Sequence, residues 1–365
     1  MPRRDQMPAP IHYPGPMKPA VPTVAAKPRK RYIAGPLYDS LFFIGSPLFA
    51  LILGIWIADS PLRTNQLVIG EYVDTPAGFF IGSFIFAHLA VVFFRSHANS
   101  TIFKTFPLRF TLIPALLFTG ILYSDWVMVG TSVVATWWDV YHSSLQTFGL
   151  GRIYDSKVGN DAQVGRRLDY LLNILLYTGP ILAGATLFDH VEDFGEFAEL
   201  DDLVAVFFTS VPARMESYTG LLTWAVVGIG VPFLAYYVLS YVRFARSGYR
   251  VSTQKVALYV LTGLCSIFTW GFNTFGEAFF IMNFFHALQY FALVWWMERD
   301  NMTRVMHTGH RAVTFVLFIS LAFAYGAWAE LLDGSARWAL ATVSVVSIMH
   351  FWYDGFIWSV RRRQV

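Results

Sequence analysis

The chain has 365 residues, 55% hydrophobic and 18% aromatic, with only 14% charged and a formal net charge of +3. A soluble domain of average make-up carries about 25% charged residues, so the composition excludes an ordinary soluble enzyme, and the small net charge requires no nucleic-acid partner. A single cysteine, Cys265, excludes an intrachain disulfide, a thiolate zinc site and a four-cysteine iron–sulfur cluster, which leaves imidazole and oxygen as metal ligands.

Residues 1–36 hold nine of the 17 prolines and seven Lys or Arg. They lack the apolar core of a signal peptide and read as a disordered, basic, cytoplasmic tail. Residues 37–365 read as a single transmembrane helical domain. Apolar runs long enough to span a bilayer are predicted at about 38–57, 77–96, 108–125, 129–150 and 168–188. Five more follow at about 218–242, 255–274, 277–297, 312–331 and 338–360. Pro114, Pro180 and Pro232 fall inside runs three, five and six as helix kinks. The longest loop, 189–217, is acidic, and its stretch Leu203–Val211 can lie along the membrane interface. Glu277 and Glu330 stand at outer ends of runs. Trp56, Trp126, Trp295, Trp296, Trp328, Trp338 and Trp358 form an interfacial belt.

With the N-terminus inside, the cytoplasmic side receives the tail, the loops near 95–109, 151–167, 243–255 and 298–311, and Arg361–Arg363. These hold 24 of the 27 Lys and Arg, leaving only Arg63, Arg214 and Arg337 outside. That asymmetry follows the positive-inside rule. The expected fold is therefore all-α: a polytopic bundle of ten transmembrane helices, both termini cytoplasmic, in a membrane of the bacterial inner type.

Four histidines, His88, His142, His286 and His350, lie in the second, fourth, eighth and tenth runs. At about 1.5 Å per helical residue they sit roughly 10, 13, 18 and 16 Å from the cytoplasmic ends. Ionisable groups in hydrocarbon are costly and mark functional sites. A shared depth on separate helices is how bundles build metal sites. Polar residues recur beside them. Asp139 and Gln146 flank His142; Asn283, Gln289 and Tyr290 flank His286; Asp354 lies one turn beyond His350. Metal-bound histidines commonly donate their second N–H to such groups. Asp139, Asp354, Gln146 and Gln289 are thus candidate partners, and Asp354 a candidate ligand. Asp354 is also the acid best placed as a general base.

His97 follows His88 by nine residues, on the opposite helix face, and is the weaker candidate. His12, His190, His307 and His310 read as solvated. Cys265 reads as a small buried apolar residue. Tyr141–Phe148 (YHSSLQTF) and Phe285–Phe291 (FHALQYF) echo each other with one residue deleted. No Walker loop, Rossmann glycine pattern or Ser-His-Asp signature is present.

The placement of the histidines, with Phe284, Phe285, Phe351 and Trp352 beside them, resembles the bacterial Brp/Blh-type membrane dioxygenases that cleave β-carotene to retinal. The resemblance covers these helices only, and the chain departs from the family in length and local motifs. It implies one iron held by His88, His142, His286 and His350, and a long isoprenoid as substrate. The membrane di-iron desaturases are a poorer match, since only His307 and His310 have the spacing of a His box. The expected function is an integral membrane, non-haem iron oxygenase acting on a hydrophobic lipid or isoprenoid, with an electron donor as a further partner. Iron ranks first, zinc second and copper third. Two alternatives stand: a transporter using the His/Asp layer as a proton or substrate path, and a haem- or quinone-binding electron carrier. The bland reading is that the histidines are interhelical packing groups.

Overall fold

The computed structural model describes residues 31–187, 218–332 and 336–358. The expectations for residues 1–30 of the tail, for the acidic loop at 189–217 and for Arg361–Arg363 lie outside the described residues. What is described is all-α apart from one small hairpin.

Helix α1 (Pro36–Asp39) passes through a π-helical turn at Ser40–Ile44 into α2 (Ser46–Ala58), with a bend of 54°. Gly45 occupies the corner, where a Cβ would lie 2.5 Å from the Ser40 carbonyl oxygen. The short α3 (Pro61–Thr64) leads to an antiparallel hairpin, β1 (Leu67–Ile69) and β2 (Tyr72–Asp74), with Ile69 opposite Tyr72. Helix α4 (Pro76–Ser96) starts with proline in its first turn, and the Thr75 hydroxyl accepts the Gly78 N–H at 3.0 Å. Both features suit a helix N-terminus, where backbone N–H groups lack partners.

Next come α5 (Ser100–Thr105), α6 (Pro107–Tyr123), α7 (Asp125–Lys157) and α8 (Arg166–Ala183). The chain turns by 119° between α6 and α7 at Ser124, whose hydroxyl caps α7 by accepting the Val127 N–H at 3.4 Å. The last five helices are α9 (Thr219–Arg246), α10 (Thr253–Phe272), α11 (Phe275–Val305), α12 (Arg311–Glu330) and α13 (Arg337–Ile357).

Each of the ten predicted runs is helical, but fewer qualify as membrane spans. Six helices are long and apolar enough to cross a bilayer: α4, α9, α10, α11, α12 and α13. Counting each bent pair as one span raises the number to eight. The shortfall from ten has two causes. The predicted third and fourth runs form one sharply bent pair, and α8 carries Arg166, Arg167 and Asp169 within 18 residues.

Helix α11 is the centre of the bundle, with 83% of its apolar window buried. Helices α2, α4, α10 and α12 pack around it. By contrast α9, with 6% of its window buried, lies at the edge and presents Leu221, Trp224 and Ile229 outward. Helices α4 and α12 approach closely at Gly326, where a Cβ would stand 2.0 Å from the Ser83 carbonyl oxygen. Small residues at such crossings let helix backbones meet inside membranes.

One end of the bundle is fastened by a buried ion network. Arg152 Nη1 lies 2.6 Å from both Asp155 Oδ2 and Asp169 Oδ2. Lys255 Nζ reaches the same two oxygens at 2.9 and 2.7 Å. Tyr237 and Tyr241 donate to Asp169 Oδ1, and Tyr249 to Asp155 Oδ1. Two cations and two carboxylates cancel, which is the condition under which buried charge is tolerated. The network joins α7, α8, α9 and α10. The sequence, which places Arg152, Asp155 and Tyr249 in loops and Asp169, Tyr237 and Tyr241 in separate apolar runs, does not reveal it.

Candidate metal centre

Four helices deliver one imidazole each to a common point: His88 from α4, His142 from α7, His286 from α11 and His350 from α13. All four are buried, none more than 3% exposed. The rings meet edge to face, with centroids 5.2 Å apart for His88–His286 and 5.0 Å for His88–His350. The His142–His286 and His142–His350 distances are 5.0 and 4.7 Å. The predicted histidine layer is thus a single cluster.

The scale fits one ion. Metal–imidazole bonds are about 2.0–2.1 Å, so two nitrogens on neighbouring positions of an ion lie roughly 3.0–3.4 Å apart. His142 Nε2 and His350 Nε2 are 3.1 Å apart. Ligand atoms of His88, His286 and His350 all lie within 4.8 Å of one another, as do those of His142, His350 and Asp354.

The hydrogen bonding points the same way. Nε2 of His286 and at least one ring nitrogen of His88 are buried without a hydrogen-bond partner among the described residues. Leaving a polar atom so costs about 1–3 kcal/mol, and two such imidazole nitrogens in one buried cluster indicate a ligand. His350 Nδ1 lies 3.1 Å from the Leu89 carbonyl oxygen. A carbonyl only accepts, so Nδ1 carries the proton and Nε2 presents its lone pair to the cluster, the usual second partner of a metal-bound histidine. The residues present therefore fit a metal.

Asp354 completes the site. Its Oδ1 accepts from the Tyr290 hydroxyl at 2.7 Å and from Trp358 Nε1 at 2.8 Å. This leaves Oδ2 facing the histidines, 3.8 Å from His142 Nε2 and 4.0 Å from His350 Nε2. Behind it, the Arg95 guanidinium lies 4.0 Å over the Trp358 ring, bonds Glu298 Oε1 at 2.5 Å and donates to the Ile357 carbonyl. Asn99 also donates to Glu298, at 3.2 and 3.0 Å. Trp358, expected in the interfacial belt, instead orients the carboxylate. Arg95 and Glu298 were missed. The signal available was the i, i+4 spacing of Asp354 and Trp358.

The other polar candidates do different work. Asp139 points away from the cluster into a small separate cavity lined also by Ser143, Tyr177, Trp270, Met282 and Asn283. Asn283 donates to the Phe279 carbonyl of its own helix at 3.1 Å. Gln146 donates to the His286 carbonyl and to Gln289 Oε1, both at 3.0 Å, and Gln289 donates to the Phe43 carbonyl at 2.8 Å. These glutamines tie α7, α11 and the π-turn together and touch no imidazole nitrogen. They also pair the two echoing segments, residue against matching residue. Both ring nitrogens of His97 are engaged, Nδ1 with Ser96 Oγ at 2.8 Å and Nε2 with the Phe110 carbonyl at 3.1 Å. It is not part of the cluster.

A cavity of about 450 Å³ opens beside the centre. Its lining includes the buried His142 and Tyr290, with Asp354, beside the cluster, the side chains of Leu145, Phe148, Tyr170, Leu293 and Phe351, the buried Arg152, and Gln163 and Arg166, which are exposed and mark its mouth.

No protein-family model, curated protein or solved structure matches the chain.

Proposed function

We propose that the chain is an integral membrane, metal-dependent oxygenase of the non-haem iron type that acts on a hydrophobic lipid- or isoprenoid-class substrate. The observation that carries this reading is the meeting of four imidazoles and one carboxylate, from four helices, at the end of a cavity of about 450 Å³. Imidazole with carboxylate suits iron, zinc and copper. Iron ranks first because the aromatic and aliphatic wall beside the donors favours oxygen chemistry over hydrolysis, and zinc second. In this reading ten helical segments traverse the membrane, with both termini on the cytoplasmic side of a bacterial inner membrane.

His88, His142, His286 and His350 would hold the ion, with Asp354 as a fifth donor or as the group that orients His142. Bound iron would supply dioxygen activation. The protein's own part is binding and exclusion. Phe148, Phe351, Leu145 and Leu293 give the cavity apolar wall, and Tyr290 and Trp358 hold Asp354 Oδ1, so that Oδ2 stays on the histidine side. A haem is disfavoured by the packing, since these neighbouring ring pairs lie 4.7–5.2 Å apart by centroid, closer than two imidazoles on opposite faces of one haem iron.

A second reading is a proton path, favoured by the contact between His350 and His142 and the nearby Asp354 carboxylate. One experiment separates the two. Detergent-purified protein loaded anaerobically with ferrous iron should show no Soret band and should consume oxygen when lipid or isoprenoid extracts are added. Proton flux in liposomes without bound metal, and no oxygen uptake, would favour the second reading.

A further inference from the structure

The 450 Å³ cavity has ends of opposite character. At its inner end stands the Asp354 carboxylate. At its outer end stands Arg166, the first residue of α8, exposed, with its guanidinium 6.0 Å over the Phe148 ring and no ion pair among the described residues. The other cation there, Arg152, is already neutralised by Asp155 and Asp169, and its Nη2 fastens the adjoining loop by donating to the Asp161 and Ala162 carbonyls at 3.4 and 3.0 Å. Arg166 is therefore the cation of the cavity lining without an ion pair among the described residues. Between the ends the walls are aromatic and aliphatic, with a Tyr141–Tyr170 hydroxyl pair at 3.1 Å on one side.

We propose that this cavity binds a single-chain amphiphile with a terminal carboxylate or phosphate, its head on Arg166 and its chain directed inward to His142 and Asp354. A cation at the mouth attracts an anionic head, and the aromatic and aliphatic walls receive its chain, so the head lies at Arg166 and the chain runs inward. The volume lies in the lower half of the range of about 300–1,000 Å³ for small-molecule sites, room for one chain. From Arg152 near the mouth to His142, ten residues along α7 span about 15 Å, so the atom presented to the centre lies many bonds from the head. The inference rests on the proposed oxygenase for the chemistry at the inner end, but binding itself does not require the metal.

The test uses the full chain in detergent, stripped of metal, with palmitic acid, hexadecanol and hexadecyl phosphate competing against a fluorescent fatty acid. An ionic contact worth about tenfold in affinity is expected. The acid or the phosphate should bind about tenfold more tightly than the alcohol, Arg166→Gln should remove that difference, and Leu145→Trp should weaken all three by filling the cavity. The acid and phosphate arms tell which head is preferred. Equal binding of all three, retention of the preference in Arg166→Gln, or unchanged binding in Leu145→Trp would overturn the proposal. Arg166-dependent binding by a protein that takes up no iron would retain this inference and remove only the oxygenase reading.

Discussion

Asp354 Oδ2 and His142 Nε2 face each other at 3.8 Å, and the carboxylate is held there by two hydrogen bonds to its other oxygen. The pairing joins α13 to α7 at the point where the cavity meets the histidine cluster. A neutral amide in place of the acid keeps an oxygen for Tyr290 and Trp358 but removes the negative charge from the histidine side. Asp354→Asn should lower metal affinity about 10–100-fold, as loss of a ligand partner commonly does. Asp139→Asn, in the separate small cavity, should leave it unchanged. Metal titration of the two variants checks both.

Tyr290→Phe removes one donor from Asp354 and leaves Trp358 in place. A hydrogen bond to a charged group contributes about 1.5–3 kcal/mol. The variant should unfold at lower temperature and bind metal more weakly than wild type, yet more tightly than Asp354→Asn. Thermal unfolding with and without added metal reads both effects.

Arg95 and Glu298 form a buried pair, with side chains only 4% and 2% exposed. Removing one partner of such a pair costs about 3–5 kcal/mol, because the other charge stays buried. Glu298→Ala should destabilise the protein by that order, and the double change Arg95→Met with Glu298→Met should recover part of the loss. Unfolding of the three variants in one detergent measures the difference.

Gly326→Ala puts a methyl group where the Ser83 carbonyl oxygen stands, 2.0 Å from the Cβ position. Overpacking of this kind costs about 1–3 kcal/mol. Because Ser83 lies on α4 five residues before His88, the shift should also reduce metal retention. A variant with lower stability but full metal content would show that α4 can move without disturbing the centre.

The histidine cluster was legible because depth follows from counting residues along helices. His97 was separable for a similar reason: nine residues at 3.6 per turn place it opposite His88, and it bonds Ser96 and Phe110 there. Asp354 and Asp139 looked alike in sequence. At about 100° per residue, four residues beyond His350 leave Asp354 about 40° from that histidine, whereas three residues before His142 leave Asp139 about 60° away. The side to which each is turned depends on helix rotation, which sequence does not specify. The glutamines show another limit, since periodicity gives a face and not a partner on the next helix. The count of ten spans rested on run length and charge asymmetry, and neither foresees that α6 and α7 turn sharply at Ser124 or that α8 starts at Arg166 and so takes in three charges.

The central claim is that the four imidazoles form one metal site. The most direct measurement is elemental analysis of purified wild type beside His142→Ala and His286→Ala, after anaerobic loading with ferrous iron and removal of free metal. The account predicts about one ion per wild-type chain, and loss of it in both variants while they keep wild-type helicity. Full metal retention in both variants, or no ion in the wild type under any loading condition, would contradict it.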